Sequence, residues 1–144
     1  MLITAEEKIK SNNKIIWEVL ISINGYKSWN NLIRKIYGRI ELNEKVWVLI
    51  KLPSGMPLIF KAKIIEIIPY KKLTWESYIL NNKLIKSTHS FEIIEISPYE
   101  CIFKQTESFE GNLELISHLL KDQILTGFSQ MNKNLKNKVE KFIR

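Results

Sequence analysis

The apolar residues Leu113, Ile116, Leu120, Ile124, Phe128, Met131, Leu135, Val139 and Phe142 follow one another at steps of three or four. That spacing puts them all on one stripe of a single helix. Between them lie Lys121, Asp122, Gln130, Asn132, Lys133, Lys136, Asn137 and Lys141, read as the wet opposite face. Gly111-Asn112 offers a turn ending in a good N-cap, and Glu114 suits the positive end of the helix dipole. Residues 112–144 are therefore expected to form one helix about 45 Å long at ~1.5 Å per residue, with Gly127 as a place for a bend. A helix of this length with one apolar stripe must lie along a large apolar surface.

The preceding chain reads as the sheet that supplies it. Residues 2–10 form a first strand with Ile3, Ala5 and Ile9 on one face. Ser11-Asn12-Asn13 caps a short amphipathic helix carrying Ile15, Ile16, Val19, Leu20 and Ile23, closed at Asn24-Gly25. Residues 26–36 place Trp29, Leu32, Ile33 and Ile36 at helical spacing, which predicts a second short helix or an irregular turn. From there the period is two. Strands are predicted over 46–52, 57–68, 73–80, 84–96 and 101–109, separated by Pro53-Ser-Gly, Pro69, Asn81-Asn82 and Ser97-Pro98-Tyr99. The class is α+β, an antiparallel sheet whose apolar face the terminal helix covers.

At 144 residues the chain reads as one domain, residues 1–144. A single cysteine, Cys101, excludes a disulfide framework and a cysteine metal cluster. The first residues lack the pattern of a signal peptide, and no apolar run is long enough to span a bilayer. A cytoplasmic protein is expected. The net charge of +7 raises nucleic-acid or anionic-membrane binding. The lysines, however, look scattered through strands and helix, with no basic cluster interleaved with aromatics, so a solvated surface is the expectation.

The residues also carry a resemblance. Trp17-Glu-Val-Leu followed by Tyr26-x-x-Trp29-Asn30, Pro69-x-x-x-Leu73-Thr-Trp75, His89-Ser-Phe91-Glu-Ile93, Gln105-Thr-Glu107-Ser-Phe109-Glu-Gly111 and the closing Gly127-Phe128-x-x-Met131 through Val139-Glu140 resemble the START/SRPBCC superfamily. That superfamily includes plant allergen-like, polyketide cyclase/dehydrase-like and heat-shock ATPase activator-like proteins. The resemblance runs nearly end to end. One departure is Asn43, where such sequences often have glycine; asparagine tolerates the same left-handed backbone. The resemblance implies the helix-grip fold, a curled sheet around a long C-terminal helix, with an internal cavity for a hydrophobic or amphipathic small molecule.

Strand alternation indicates what would line that cavity. A loop at Ser97-Pro98-Tyr99 makes Ile93–Phe103, Phe91–Gln105 and His89–Glu107 cross-strand partners. His89, Gln105 and Glu107 then stand as polar groups on an otherwise apolar face. Phe60, Ala62, Trp75 and Ser77 are expected to point inward as well, with Ile116, Leu120, Ile124 and Phe128 from the helix. Trp29 is a candidate lid. The expected ligand-binding set is Trp29, Phe60, Trp75, His89, Phe91, Phe103, Gln105, Glu107, Leu120, Ile124 and Phe128.

The polar trio can simply be paired within the core, or orient the polar head of a ligand. In an extension of the second reading, His89 is a general base set by Glu107. These two are the only weak catalytic candidates. No metal-ligand spacing, phosphate loop or nucleophile elbow occurs; neither metal nor cofactor is expected. His118 reads as a boundary residue and Cys101 as an apolar filler. The main expectation is a monomeric or weakly dimeric binder of a small hydrophobic molecule, without nucleic-acid binding or stable membrane insertion. The alternatives are a cyclase/dehydratase-type enzyme using His89 and Glu107, and a protein-binding module of the co-chaperone kind.

Overall fold

The alternating strands pair into one seven-stranded antiparallel sheet in the order β1-β7-β6-β5-β4-β3-β2. The computed structural model describes residues 1–78 and 85–141. Ile79 and Leu80 at the end of the third predicted period-two strand, the Asn81-Asn82 turn, Leu84 and Phe142 lie outside the described residues.

Strand β1 (Leu2–Ile9) buries Ile3, Ala5 and Ile9. Helix α1 (Asn13–Ile21) starts at Asn12, whose side chain accepts a hydrogen bond from the Ile15 amide at 2.9 Å. It does not run on to Asn24-Gly25. Ser22 ends it, and a 3-10 turn follows over Ile23–Ser28. The next segment corrects the sequence expectation. Residues Ile33–Tyr37 are strand β2 rather than helix, paired with β3 (Lys45–Lys51). The cause is a register shift between Ile33 and Lys35. A bulge adds one residue to the strand, so Ile33 and Ile36 face inward although three positions apart, and the strand mimics a helical period. Asn30 sets its entry: its Oδ1 accepts from the amides of Leu32 (3.0 Å) and Ile33 (2.8 Å).

The meander continues with β4 (Pro57–Ile68), β5 (Lys72–Tyr78), β6 (Ile85–Ser97) and β7 (Glu100–Gly111). Asn43 enters β3 with φ 68°, the left-handed backbone expected for this position. β7 closes on β1 by pairing Ile3 with Glu107 and Ile9 with Cys101.

The long helix α2 spans His118–Glu140, about 35 Å at ~1.5 Å per residue. It does not start at Asn112. Leu113–Leu115 form a 3-10 turn, Ile116 is extended, and Ser117 is the cap, its hydroxyl accepting from the Leu120 amide at 3.1 Å. His118 is exposed in the first turn. From Ile124 the apolar stripe is buried, and Met131, Leu135 and Val139 are sealed completely where α2 packs on β1 and α1. Gly127 has a packing role: a β-carbon there would stand 2.9 Å from Leu32 Cδ1, so glycine lets the β2 segment touch the helix. Asn31 pins the same contact, donating to Gln130 and accepting from Asn134. Asn132 is a second correction. It is buried in the core rather than lying on the wet face.

Candidate functional site: an apolar cavity with a buried polar chain

Between the concave face of the sheet and the first half of α2 lies a cavity of about 660 Å³. Its apolar walls come from Leu32 and Ile33 of the β2 segment, Ile50 and Leu52, Leu58 and Phe60 of β4, Trp75, Phe109, and Leu120, Ile124 and Phe128 of α2. Ser77, Ser87, His89 and Glu107 are the polar groups on its inner wall. The lining also reaches Lys45, Trp47, Ile59, Lys61, Lys63, Glu76 and Tyr78, whose side chains belong to the outer face of β3, β4 and β5.

The strand register places these groups. His89 pairs with Glu107 and Phe91 with Gln105 across β6 and β7, so the three polar side chains share the inner face. His89 Nδ1 lies 3.2 Å from Glu107 Oε2, and its Nε2 lies 2.9 Å from Gln105 Oε1. Gln105 Nε2 donates in turn to Asn132 Oδ1 of α2 at 2.7 Å. A chain of polar contacts thus runs from the cavity wall, along the inner face of the sheet, to the helix. Asn132 Nδ2 is buried without a partner among the described residues. Glu107 holds its remaining oxygen, Oε1, free of hydrogen bonds to the described residues, and its side chain keeps 14% exposure. The imidazole is also fixed by rings: Phe91 stacks on it at 4.2 Å, Phe128 tilts over it at 4.7 Å, and Trp75 meets it edge-on at 5.6 Å. With both nitrogens engaged and the ring held on three sides, His89 is a fixed part of the wall.

Of the residues singled out in the sequence, Phe60, Trp75, His89, Glu107, Leu120, Ile124 and Phe128 line the cavity. Phe91, Phe103 and Gln105 do not; they are buried behind His89 and support it. Trp29 is not at the cavity. It packs edge-on against Tyr26 and borders a separate surface hollow with Val19 and Lys138, so the lid expectation does not hold. Leu58, Ile50 and Leu52 could have been read by extending the alternation of Phe60 and Val48. Leu32 and Ile33 could not, because the bulge hid their strand. Asn132 stands four residues after Phe128 and three before Leu135, within the stripe, and only its polarity argued against burial.

Cys101 and Tyr26 are not set up for chemistry. Burial, followed by the charges of Glu95 and Glu100, pushes the Cys101 thiol up to about 11, far from a nucleophile's range. Burial likewise raises the phenol of Tyr26, which donates to the Leu20 carbonyl. Among the described residues no group of His, Cys, Asp or Glu could hold a metal ion. No described helix is long and apolar enough to cross a membrane.

No protein-family model matches the chain, and no curated protein matches it. Solved structures do. A START superfamily protein from Mycobacterium smegmatis superposes with a TM-score of 0.76 at 13% identity over 98% of each chain. An aromatase/cyclase from Streptomyces sp. R1128 gives 0.79 at 10% identity, over 100% of this chain and 96% of that one. A norcoclaurine synthase from Thalictrum flavum, solved as a point mutant with a transition-state analogue, gives 0.75 at 15% identity over 100% and 96%. Across that sequence distance the common ground is the architecture: this chain has the helix-grip fold of START superfamily proteins.

Proposed function

We propose that this protein binds a small hydrophobic or amphipathic molecule in the cavity beneath α2, with Glu107 meeting a polar group of the ligand. The observation that carries the reading is the cavity itself: about 660 Å³ with a mostly apolar wall and one carboxylate oxygen unpaired among the described residues. Many apolar contacts with a few placed polar groups is the usual plan of a small-molecule site. The neighbouring folds include an aromatase/cyclase and a norcoclaurine synthase, proteins named for work on small organic molecules. Binding without turnover is favoured here by the state of His89. Its two nitrogens lie against Glu107 and Gln105, so neither reaches a ligand without displacing a protein partner. The cytoplasm is the expected place of action, which the single free cysteine fits.

Native mass spectrometry of the protein purified from cells tests the reading. A stoichiometric mass increment that disappears on denaturation is the expected result, and it gives the ligand's mass. A thermal-shift screen with lipids, sterols and aromatic polyketides is its complement. A ligand at a hundred times its Kd adds about 2.7 kcal/mol to stability, a readily measured rise in melting temperature. A bare chain mass together with no stabilising ligand would reject the cavity-binder reading.

A further inference from the structure

The outer face of the sheet at the β2 edge gathers what the sequence scatters. Cross-strand register aligns Tyr37 with Trp47 and Lys61, and Lys35 with Leu49 and Ile59; Lys45 faces Lys63. Lysines and large apolar side chains thus alternate on one surface. Tyr37, Trp47 and Ile59 are 48%, 46% and 57% exposed there. The ammonium of Lys35 stands 4.8 Å from the ring of Tyr37, and that of Lys61 stands 5.7 Å from the ring of Trp47. With Lys51 at the end of β3, the surface carries Lys35, Lys45, Lys51, Lys61 and Lys63 and no carboxylate within β2, β3 or residues 57–63 of β4. The nearest acids are at its margin. Glu44 precedes β3, and Glu76, opposite Lys63, is already paired with Lys86. Elsewhere on the outer face the charges alternate in sign, as where Lys104 sits between Glu6 and Glu92.

We infer that this face docks the protein on an anionic lipid bilayer. Lysines flanking exposed Trp and Tyr match the two layers of such a surface. Ammonium groups meet lipid phosphates, and amphipathic rings settle at the level of the headgroups. Nucleic acid fits less well, because Ile59 and Leu49 would be set against a phosphate backbone that offers them no apolar contact. Lys45, Trp47, Ile59, Lys61 and Lys63 also border the cavity, so docking brings a membrane next to it. The surface is tested without any cavity ligand and stands or falls separately from the cavity reading.

The experiment is flotation of the full chain with phosphatidylcholine vesicles, with and without a third of phosphatidylglycerol. Binding is expected only with the anionic lipid, and it should weaken steeply as salt is raised. Lys35→Glu/Lys61→Glu/Lys63→Glu should lose at least about tenfold in vesicle affinity, given the worth of each basic residue at an anionic surface. Trp47→Ser should bind more weakly at every salt concentration while keeping the slope of the salt dependence. Lys8→Glu/Lys104→Glu, on the far edge of the same face, should bind as the wild type does. Each variant is checked by its thermal melt, and Lys35→Gln/Lys61→Gln/Lys63→Gln replaces the reversal if that does not fold. No binding to anionic vesicles at low salt would overturn the inference. So would equal losses in the far-edge control, or binding to duplex DNA or RNA in place of vesicles.

Discussion

Gln105 shows how much one residue organises at the site. It is fully buried, and its amide is the only joint between His89 in the sheet and Asn132 in the helix among the described residues. Leucine at this position would be of similar size and more apolar, so a ledger of apolar burial alone expects Gln105→Leu to stabilise the fold. The opposite is expected here. The change strands a ring nitrogen of His89 and the oxygen of Asn132 in the core, and each unsatisfied buried group costs about 1–3 kcal/mol. Urea unfolding should show Gln105→Leu about 2–4 kcal/mol less stable than the wild type. An unchanged or raised midpoint would show that the polar chain contributes nothing to the fold. At this scale the sequence was legible where geometry is periodic. The pairing of His89 with Glu107 follows from the hairpin loop and strand parity alone. It was illegible at Asn132, because burial of an asparagine depends on a partner brought by a different element.

At the scale of elements, the strand at β2 and the start of α2 depart from the sequence reading for one reason: local spacing is ambiguous when backbone geometry changes. The bulge in β2 gave a strand a helical look. The 3-10 turn before Ser117 kept Leu113 and Ile116 in step with a helix they do not belong to. The far end of α2 has a feature of its own. A carboxylate in the last turn opposes the helix dipole, yet Glu140 sits there, held by Lys136 at 2.8 Å and 2.9 Å. Burial pushes the Glu140 carboxyl up, but Lys136, helped by the backbone and charge of Lys10, outweighs that and holds it below the usual carboxylate range. A lowered value means stability that is present above the ordinary carboxylate range and is lost as the pH falls through the lowered one. Glu140→Gln should therefore be less stable than the wild type at neutral pH, by at most about 1 kcal/mol for a largely surface pair. The two unfolding midpoints should converge as the pH falls through and below the lowered value. A gap that persists or widens in acid would contradict this account of the pair.

For the whole molecule, the question is why a well-packed sheet and helix leave a void. The second half of α2 is sealed on β1 and α1, whereas along its first half Leu120, Ile124 and Phe128 border the cavity and only Phe128 reaches the His89 ring among the described residues. A void of this size loses packing contacts along its entire lining, and a ligand restores them. Filling it by mutation should separate stability from binding. Ile124 lines the cavity, so the indole of Ile124→Trp is expected to extend into it. Its melting temperature without ligand should stay close to the wild type's, while the mass increment and the ligand-induced thermal shift should disappear. A variant that still gains stability from ligand would place the binding site elsewhere.

What the sequence by itself determined is whatever a single element's period can encode: the α+β class, the inward faces of β1 and β4 to β7, the buried stripe of α2, and the polar trio on an apolar wall. Those patterns survive because each is written along one stretch of chain, where burial of one face demands a repeat of two or about 3.6 residues. What only the tertiary structure decided lies between elements. The curl of the sheet under α2 set the size of the cavity. The approach of α2 to β7 turned Asn132 from a surface residue into a buried partner of Gln105. The pairing of β2, β3 and β4 drew Lys35, Tyr37, Trp47, Ile59 and Lys61 into one basic and aromatic surface. Lateral register joins residues far apart in the chain, and no local period records which of them will become neighbours.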